Sequence, residues 1–380
     1  MTMGIYVHVP FCVSKCHYCD FYSERIKANN VKLYLEALAL ELKLFEEMLP
    51  DKNNQAATLY FGGGTPSTLT VEQLTSLLSL IRDQFSLANT AEVTLEINPG
   101  TVTKDKLWAY HKLGINRLSI GVQSFNDKEL AAMGRRHSVD QVLELIQWLK
   151  ELQFDNYSLD LIYGLPGQSL EGWQDTLDKA ITCDPKHISL YGLKLEEGTP
   201  WGREYNQGQL LIPDDGAQAQ MYETAVGKLK EAGLNRYEIS NFAKLGYAAQ
   251  HNLIYWRYQS YLGFGPGASS FYQGKRWTNL TDIEEYSQKL KADWLPIQYG
   301  EELNQRIQEA EAIFLALRLT EGLGLTDFKA RFNQNFLEKY EDKVHKFSKA
   351  GMLVVDANRV KLTERGVLLA NEIFAEFLPD

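Results

Sequence analysis

The sequence predicts an α/β protein: a partial (β/α)6 barrel over residues 1–200, an accessory region over 201–300 and a small winged-helix-like α+β domain over 301–380. Three observations predict it. Six short apolar runs alternate with segments long enough to hold helices, an order that produces a parallel sheet covered by helices. The conspicuous polar residues fall at the carboxyl ends of those runs, which favours a barrel over an open sheet, because barrel sites collect there. Past residue 300 the alternation gives way to helical periodicity and one hairpin pattern.

The first strand, 5–9, stops at Pro10, and Cys12, Cys16 and Cys19 follow in C-x-x-x-C-x-x-C spacing. From residue 31, Leu35, Leu38, Leu42, Phe45 and Leu49 recur in steps of three and four, an amphipathic helix ending at Pro50. The second strand, 57–61, runs directly into Gly62-Gly63-Gly64-Thr65-Pro66, and helical periodicity returns over 71–85. Further strands are expected at 92–97, 117–122, 156–162 and 187–192. Glu96 closes the third strand just before Asn98-Pro99-Gly100, Gln123 follows the fourth, and Asp160 sits within the fifth. The glycine-rich 262–268 lacks a strand-to-helix context and reads as a loop. Beyond it come helices at 307–319, 326–332 and 336–350, the last stopped by Gly351. A hairpin of 352–356 with 359–362 precedes a final helix capped by Thr363.

With 380 residues and 44% hydrophobic content the chain can bury a large core. Its net charge of −10 disfavours a nucleic-acid partner, since phosphate binding needs a basic surface. The C-terminal region carries 11 lysines and arginines against 14 acidic residues from Glu301 onward, which points to packing or partner binding rather than DNA. There is no membrane-length apolar run and no basic-then-apolar leader, so the expected location is the cytoplasm. Four cysteines are too few for a disulfide framework; with three on one loop, Cys183 is expected to be a buried free thiol.

Three thiolates on one tight loop can hold three corners of a [4Fe-4S] cube and leave the fourth iron open. Zinc would need a fourth ligand, His8 or His17, and favours paired C-x-x-C units. Glu96 and Asp160 lie in apolar strands and, if buried, must be paired or ligand-bound; for Asp160 a salt bridge to Arg117 or Arg135 competes with ligand binding. The glycine triplet is either a tight turn or a place where backbone meets a ligand. His251, beside Tyr255 and Trp256, is either a packed imidazole or an axial ligand to heme iron.

The cysteine spacing resembles the radical S-adenosylmethionine superfamily. Together with Tyr6-Val-His-Val-Pro-Phe-Cys12, Gly62-Gly-Gly-Thr-Pro66, Leu95-Glu-Ile-Asn-Pro99, Gly121-Val-Gln-Ser-Phe125 and Asp160-Leu-Ile-Tyr-Gly-Leu-Pro166, the chain is similar to the oxygen-independent coproporphyrinogen dehydrogenase group of that superfamily. The resemblance implies that Cys12, Cys16 and Cys19 ligate a [4Fe-4S] cluster. It also implies that Tyr6, Gly63, Gly64, Thr65, Glu96, Gln123, Arg135 and Asp160 contact S-adenosylmethionine, with Tyr18 beside the cluster. Within the group, the dehydrogenase branch has an added amino-terminal segment and a fourth cysteine two residues after the third, where this chain has Phe21. The short start, Cys19-Asp20-Phe21 and His251-Asn252-Leu253-Ile254-Tyr255-Trp256 resemble the heme-chaperone branch instead. That branch implies heme as a third cofactor, delivery to a heme-accepting protein, an electron donor, and a role for membrane-surface delivery or a homodimer. The competing expectation is radical oxidative decarboxylation of coproporphyrinogen III.

Overall fold

In the computed structural model, which describes residues 3–48 and 55–379, strand β1 (Met3–Val9) leads into a short parallel pair, β2 (Phe11–Cys12) and β3 (Glu24–Arg25). Helix α1 (Ala28–Met48) follows, and β4 (Ala56–Gly63), β5 (Leu87–Ile97), β6 (Arg117–Gln123), β7 (Tyr157–Tyr163) and β8 (His187–Gly192) complete the six expected strands. Each pairs in parallel with the next in chain order. Parallel neighbours require crossovers, supplied by α1, α2 (Val71–Gln84), α3 (Lys104–Lys112), the short α4 (Asp127–Ala132) with α5 (Val139–Glu151), and α6 (Leu170–Thr182). The fold is the expected partial (β/α)6 barrel.

Local chemistry explains the boundaries. Thr70 and Ser138 close capping boxes with Gln73 and Gln141, so α2 and α5 start where the sequence offers Ser/Thr-x-x-Gln. Leu38 and Leu42 on α1 are fully buried, Phe45 nearly so, and each contributes about 1.5–3 kcal/mol of transfer free energy. The proposed stop of α1 at Leu49 and Pro50 lies outside the described residues.

The accessory region holds α7 (Pro200–Asn206), α8 (Asp215–Glu231), β9 (Asn235–Glu238), β10 (Asn241–Ala243), α9 (Gln250–Trp256), β11 (Tyr261–Phe264), β12 (Ser269–Tyr272), β13 (Lys275–Asn279), α10 (Ile283–Lys291) and β14 (Ile297–Glu302). Its strands extend the barrel sheet at both edges, giving one 12-stranded sheet in the order β14-β13-β12-β11-β1-β4-β5-β6-β7-β8-β10-β9. The first half of the glycine-rich 262–268 is therefore strand rather than loop. Gly263 permits it, since a Cβ there would sit against the Ser269 carbonyl.

The C-terminal part consists of α11 (Gln305–Arg318), β15 (Leu323–Gly324), α12 (Leu325–Phe332), α13 (Phe336–Lys339), α14 (Glu341–Lys349), the hairpin β16 (Leu353–Val355) with β17 (Arg359–Leu362), α15 (Glu364–Leu368) and α16 (Ala370–Glu376). These form a winged-helix-like α+β unit around a second core, which includes Ile313, Leu317, Phe336, Val360 and Ile373 and is shared with Tyr258 and Phe271 of the accessory region. The helix expected over 336–350 is broken at Tyr340. Leaving helical backbone there, the Tyr340 ring packs 5.2 Å from Phe336 and 5.6 Å from Phe377. Thr363 caps α15 as expected, accepting from the Gly366 amide at 3.0 Å.

Candidate active site at the barrel mouth

The cysteine loop is laced to its surroundings by backbone hydrogen bonds. The Gly64 amide donates to the Val9 carbonyl at 2.9 Å and the Thr65 amide to that of Phe11 at 2.7 Å. That close approach is why the triplet is glycine: a Cβ on Gly64 would lie 2.8 Å from the Phe11 carbonyl oxygen, and Gly63, at φ +110°, lies against the His8 ring. On the other side the His17 amide donates to the Met133 carbonyl at 3.0 Å, and its Nδ1 meets the Ala132 carbonyl at 2.9 Å.

Cys12, Cys16 and Cys19 are half-buried and free, and Cys183 is a buried free thiol as expected. Cys12 Sγ lies 3.4 Å from Thr65 Oγ1, and Arg135 Nη1 donates to Cys16 Sγ at 3.8 Å. Burial raises the Cys19 thiol to about 11, so it carries a proton until a metal displaces it. Both ring nitrogens of His8 are engaged, Nδ1 with the Tyr6 hydroxyl at 3.1 Å and Nε2 with the Tyr22 carbonyl at 3.0 Å. His17 is tied to backbone through Nδ1 alone, so only His8 is withdrawn as a fourth zinc ligand by its hydrogen bonds. Among the described residues no three His, Cys, Asp or Glu side chains converge on a single-ion site. A cuboidal cluster needs no such convergence, since its thiolates bind different irons.

Inside the barrel, Glu96 accepts from the Tyr60 hydroxyl at 2.8 Å and the Gly63 amide at 3.2 Å. Asp160 accepts from Ser119 Oγ at 2.8 Å and Ser158 Oγ at 3.2 Å. Asp160 thus makes no salt bridge to Arg117 or Arg135: hydroxyls reach it, Arg117 lies 3.9 Å from Glu92, and Arg135 turns toward the cysteine loop. Desolvation raises Glu96 to about 7 and also raises Asp160. Two half-buried carboxylates whose hydrogen bonds come from neutral donors form an acidic lining suited to a cationic, hydroxyl-bearing ligand.

Arg135 donates to the Gly121 carbonyl at 2.5 Å and to Asn98 Oδ1, while Asn98 Nδ2 donates to Thr65 Oγ1 at 3.0 Å. Asn98 therefore joins the glycine loop to the arginine, a link the Asn-Pro-Gly turn signal does not reveal. Gln123 sits at φ +69° where the register between β6 and β7 shifts, an outlier of the kind that gathers at binding sites. Tyr6 and Tyr60 stack 6.1 Å apart beneath the mouth. Tyr18 lies 6.1 Å from Trp201, its hydroxyl raised by burial and drawn down by Arg135.

His251 is where the structure decides between two readings. Its Nδ1 is 2.7 Å from Thr58 Oγ1, its Nε2 is 2.7 Å from the Tyr255 hydroxyl, and its ring stacks 5.0 Å from Tyr60. It is 1% exposed, and burial lowers it to about 3. With both nitrogens bonded inside the protein, the axial-ligand expectation gives way to the packed imidazole. Its neighbours do face open space: Tyr255 and Trp256 line a cavity of about 510 Å³ together with Phe21, Tyr258, Phe271 and Phe314.

The sequence matches the Radical SAM superfamily over residues 6–180 and the HemN C-terminal domain over residues 304–369. It is 35% identical to the heme chaperone HemW of Lactococcus lactis, covering 99% of this chain and 97% of that protein. The Bacillus subtilis protein of the same name is 34% identical, with 98% of each chain covered, and that of Escherichia coli is 39% identical over 70% of this chain and 69% of that one. Among solved structures, the radical SAM enzyme coproporphyrinogen III oxidase (HemN) of Escherichia coli superposes with a TM-score of 0.86 at 22% identity, covering 99% of this chain and 90% of the other, a likeness of fold. A barrel with three free cysteines on its first loop, the C-terminal unit and this near-full-length similarity carry one conclusion: the chain belongs to the HemW family of the radical SAM superfamily.

Proposed function

We propose that this protein is a heme chaperone that carries a [4Fe-4S] cluster and S-adenosylmethionine and hands heme to an acceptor protein. The observation that carries the reading is the end-to-end similarity to proteins named heme chaperone HemW. Cys12, Cys16 and Cys19 hold the cluster, whose fourth iron supplies a place for the amine and carboxylate of S-adenosylmethionine. Gly63, Gly64 and Thr65 offer backbone and hydroxyl groups to that ligand, Glu96 and Asp160 accept from its ammonium and ribose hydroxyls, and Arg135 braces the cysteine loop. Tyr6, Tyr18 and Gln123 border the same space. The raised Glu96 and Asp160 support this assignment, since desolvation outweighs the Arg117 charge acting on each. Division of the chain near 200 and 300 accompanies the reading, with the C-terminal unit as a partner-binding module. An electron donor, a homodimer and delivery at a membrane surface belong to the same proposal; among the described residues no helix is long and apolar enough to cross a membrane.

The test is an anaerobic incubation of cluster-reconstituted protein with reductant, S-adenosylmethionine and coproporphyrinogen III, followed by hemin titration of the same sample. The expected result is saturable hemin binding without turnover. Vinyl-bearing product at catalytic yield would make the protein a coproporphyrinogen III dehydrogenase instead.

A further inference from the structure

Behind Asp160 a chain of hydrogen-bonding side chains runs from the barrel interior to the start of α9. β7 and β8 pair in parallel with Ser158 opposite His187 and Asp160 opposite Ser189, so the strand period of two brings all four onto one face. Ser158 Oγ lies 3.2 Å from Asp160 Oδ1 and 2.8 Å from His187 Nδ1. His187 Nε2 in turn meets the Tyr237 hydroxyl of β9 at 2.9 Å. That hydroxyl accepts from the amide of Ala249, the residue before α9, at 3.3 Å. Ser158 and His187 are fully buried.

Donor counting fixes the direction of these bonds. Burial and then the Arg117 charge keep the His187 ring neutral, so it carries one N–H. The Tyr237 oxygen receives the Ala249 amide, and its own hydrogen is directed at His187 Nε2. The ring proton then sits on Nδ1 and points at Ser158 Oγ, which leaves the Ser158 hydrogen for Asp160. The reverse order would set the ring proton against Tyr237 and strand the phenol hydrogen, with no second acceptor for it among the described residues.

We propose that His187, set in its Nδ1–H tautomer by Tyr237, is a positioning residue for S-adenosylmethionine: through Ser158 it keeps Asp160 a fixed, ionised acceptor. This rests on the reading of Asp160 as a contact of that ligand. Every link donates toward the carboxylate, and bonds aligned one way polarise the last donor. A donor aimed at a carboxylate favours its charged form, which opposes the burial that raises Asp160. Ser119 and Ser189 donate to the same carboxylate from β6 and β8. The other ionisable groups acting on Asp160 or acted on by it are Arg117 on β6, Glu96 on β5, Tyr60 on β4 and Tyr191 on β8. Glu92 and Glu238 act on Tyr237 at the far end of the chain.

The experiment measures S-adenosylmethionine affinity across the neutral pH range for cluster-reconstituted wild-type, His187→Leu, His187→Asn, Ser158→Ala and Asp160→Asn proteins. Histidine-selective nitrogen NMR of the wild type, with His187→Asn for assignment, reads the tautomer. The expected ring is neutral with its proton on Nδ1. His187→Leu and Ser158→Ala should lose about tenfold more affinity than wild type between about pH 8 and about pH 6, because a lost donor lets Asp160 take up a proton about one unit earlier. Glu96 titrates in every variant except through this difference, so the comparison isolates Asp160. His187→Asn, whose amide can donate from the Nδ1 position, should restore most of the wild-type profile. A ring proton on Nε2 would overturn the proposal. Profiles of His187→Leu and Ser158→Ala that run parallel to wild type, the mark of a merely structural role, would overturn it as well. If His187→Leu loses iron or secondary structure, Ser158→Ala and the wild-type tautomer decide. Asp160→Asn protein that binds as tightly as wild type would instead defeat the reading of Asp160 as a ligand contact.

Discussion

Glu41 is 2% exposed and accepts from the Tyr286 hydroxyl at 2.6 Å, Asn279 Nδ2 at 2.6 Å and the Gly265 amide at 2.8 Å, with no cation among these partners. Burial raises it to about 7. Between the ordinary carboxyl value of 4.5 and that raised value the folded state binds more protons than the unfolded one, so stability falls as pH rises through this window and levels off above it. Glu41→Gln should flatten that slope by on the order of 3 kcal/mol, read by urea denaturation at a series of pH values; an unchanged slope would assign the titration elsewhere. Glu96 titrates in the same window, and a cationic ligand beside it should return its charge. Glu96→Gln and Asp160→Asn are therefore each expected to weaken S-adenosylmethionine binding about tenfold while iron content stays constant. Equal loss of iron and ligand would mean that the carboxylates support the fold, not the ligand. At this scale the cysteines, Glu96 and Asp160 were legible as candidates because their residue types stand out after, at the end of and within apolar strands. The partners of His251 were not, since Thr58 lies 193 residues away in the chain.

Among elements, the cysteine loop is the part most dependent on its neighbours. Its tether runs through the turn after α4, where Gly134 has φ +76° and a Cβ would sit 3.2 Å from the His17 ring. Gly134→Ala is expected to strain that turn, displace His17 and lower iron per chain after reconstitution, while barrel secondary structure stays unchanged by circular dichroism. Full iron occupancy in this variant would show that the loop holds its cluster without the tether. The glycine triplet teaches a related point. Its presence after a strand was readable, while the choice between a tight turn and a close approach stayed open; that the approaching group includes the Phe11 backbone depends on the pairing of β1 with β4. The break at Tyr340 escaped the periodicity because an aromatic contact to Phe377 leaves no local mark.

Across the whole molecule, the ion pairs that join the C-terminal unit to the sheet include one with a fully buried carboxylate. Arg318 on α11 donates to Glu238 on β9 at 3.2 Å, and its guanidinium lies 4.4 Å from the centre of the Trp256 ring. Glu238 is fully buried, so Arg318→Leu leaves its charge uncompensated at about 3–5 kcal/mol. A lower midpoint in thermal unfolding is expected, with a smaller loss in the double variant Arg318→Leu/Glu238→Gln. No recovery in the double variant would mean that the Trp256 contact, rather than the charge, carries the stability.

Strand order, the parallel barrel, the three-cysteine loop and the helical C-terminal unit were determined by local pattern: periodicity, caps and glycine positions act within a few residues and survive in any correct fold. Two features were decided only in three dimensions. Strands from residues 235–302 extend both edges of the barrel sheet, and His251 is closed off by Thr58 and Tyr255. Each depends on which distant groups satisfy a buried donor or acceptor, and sequence spacing carries no record of that pairing.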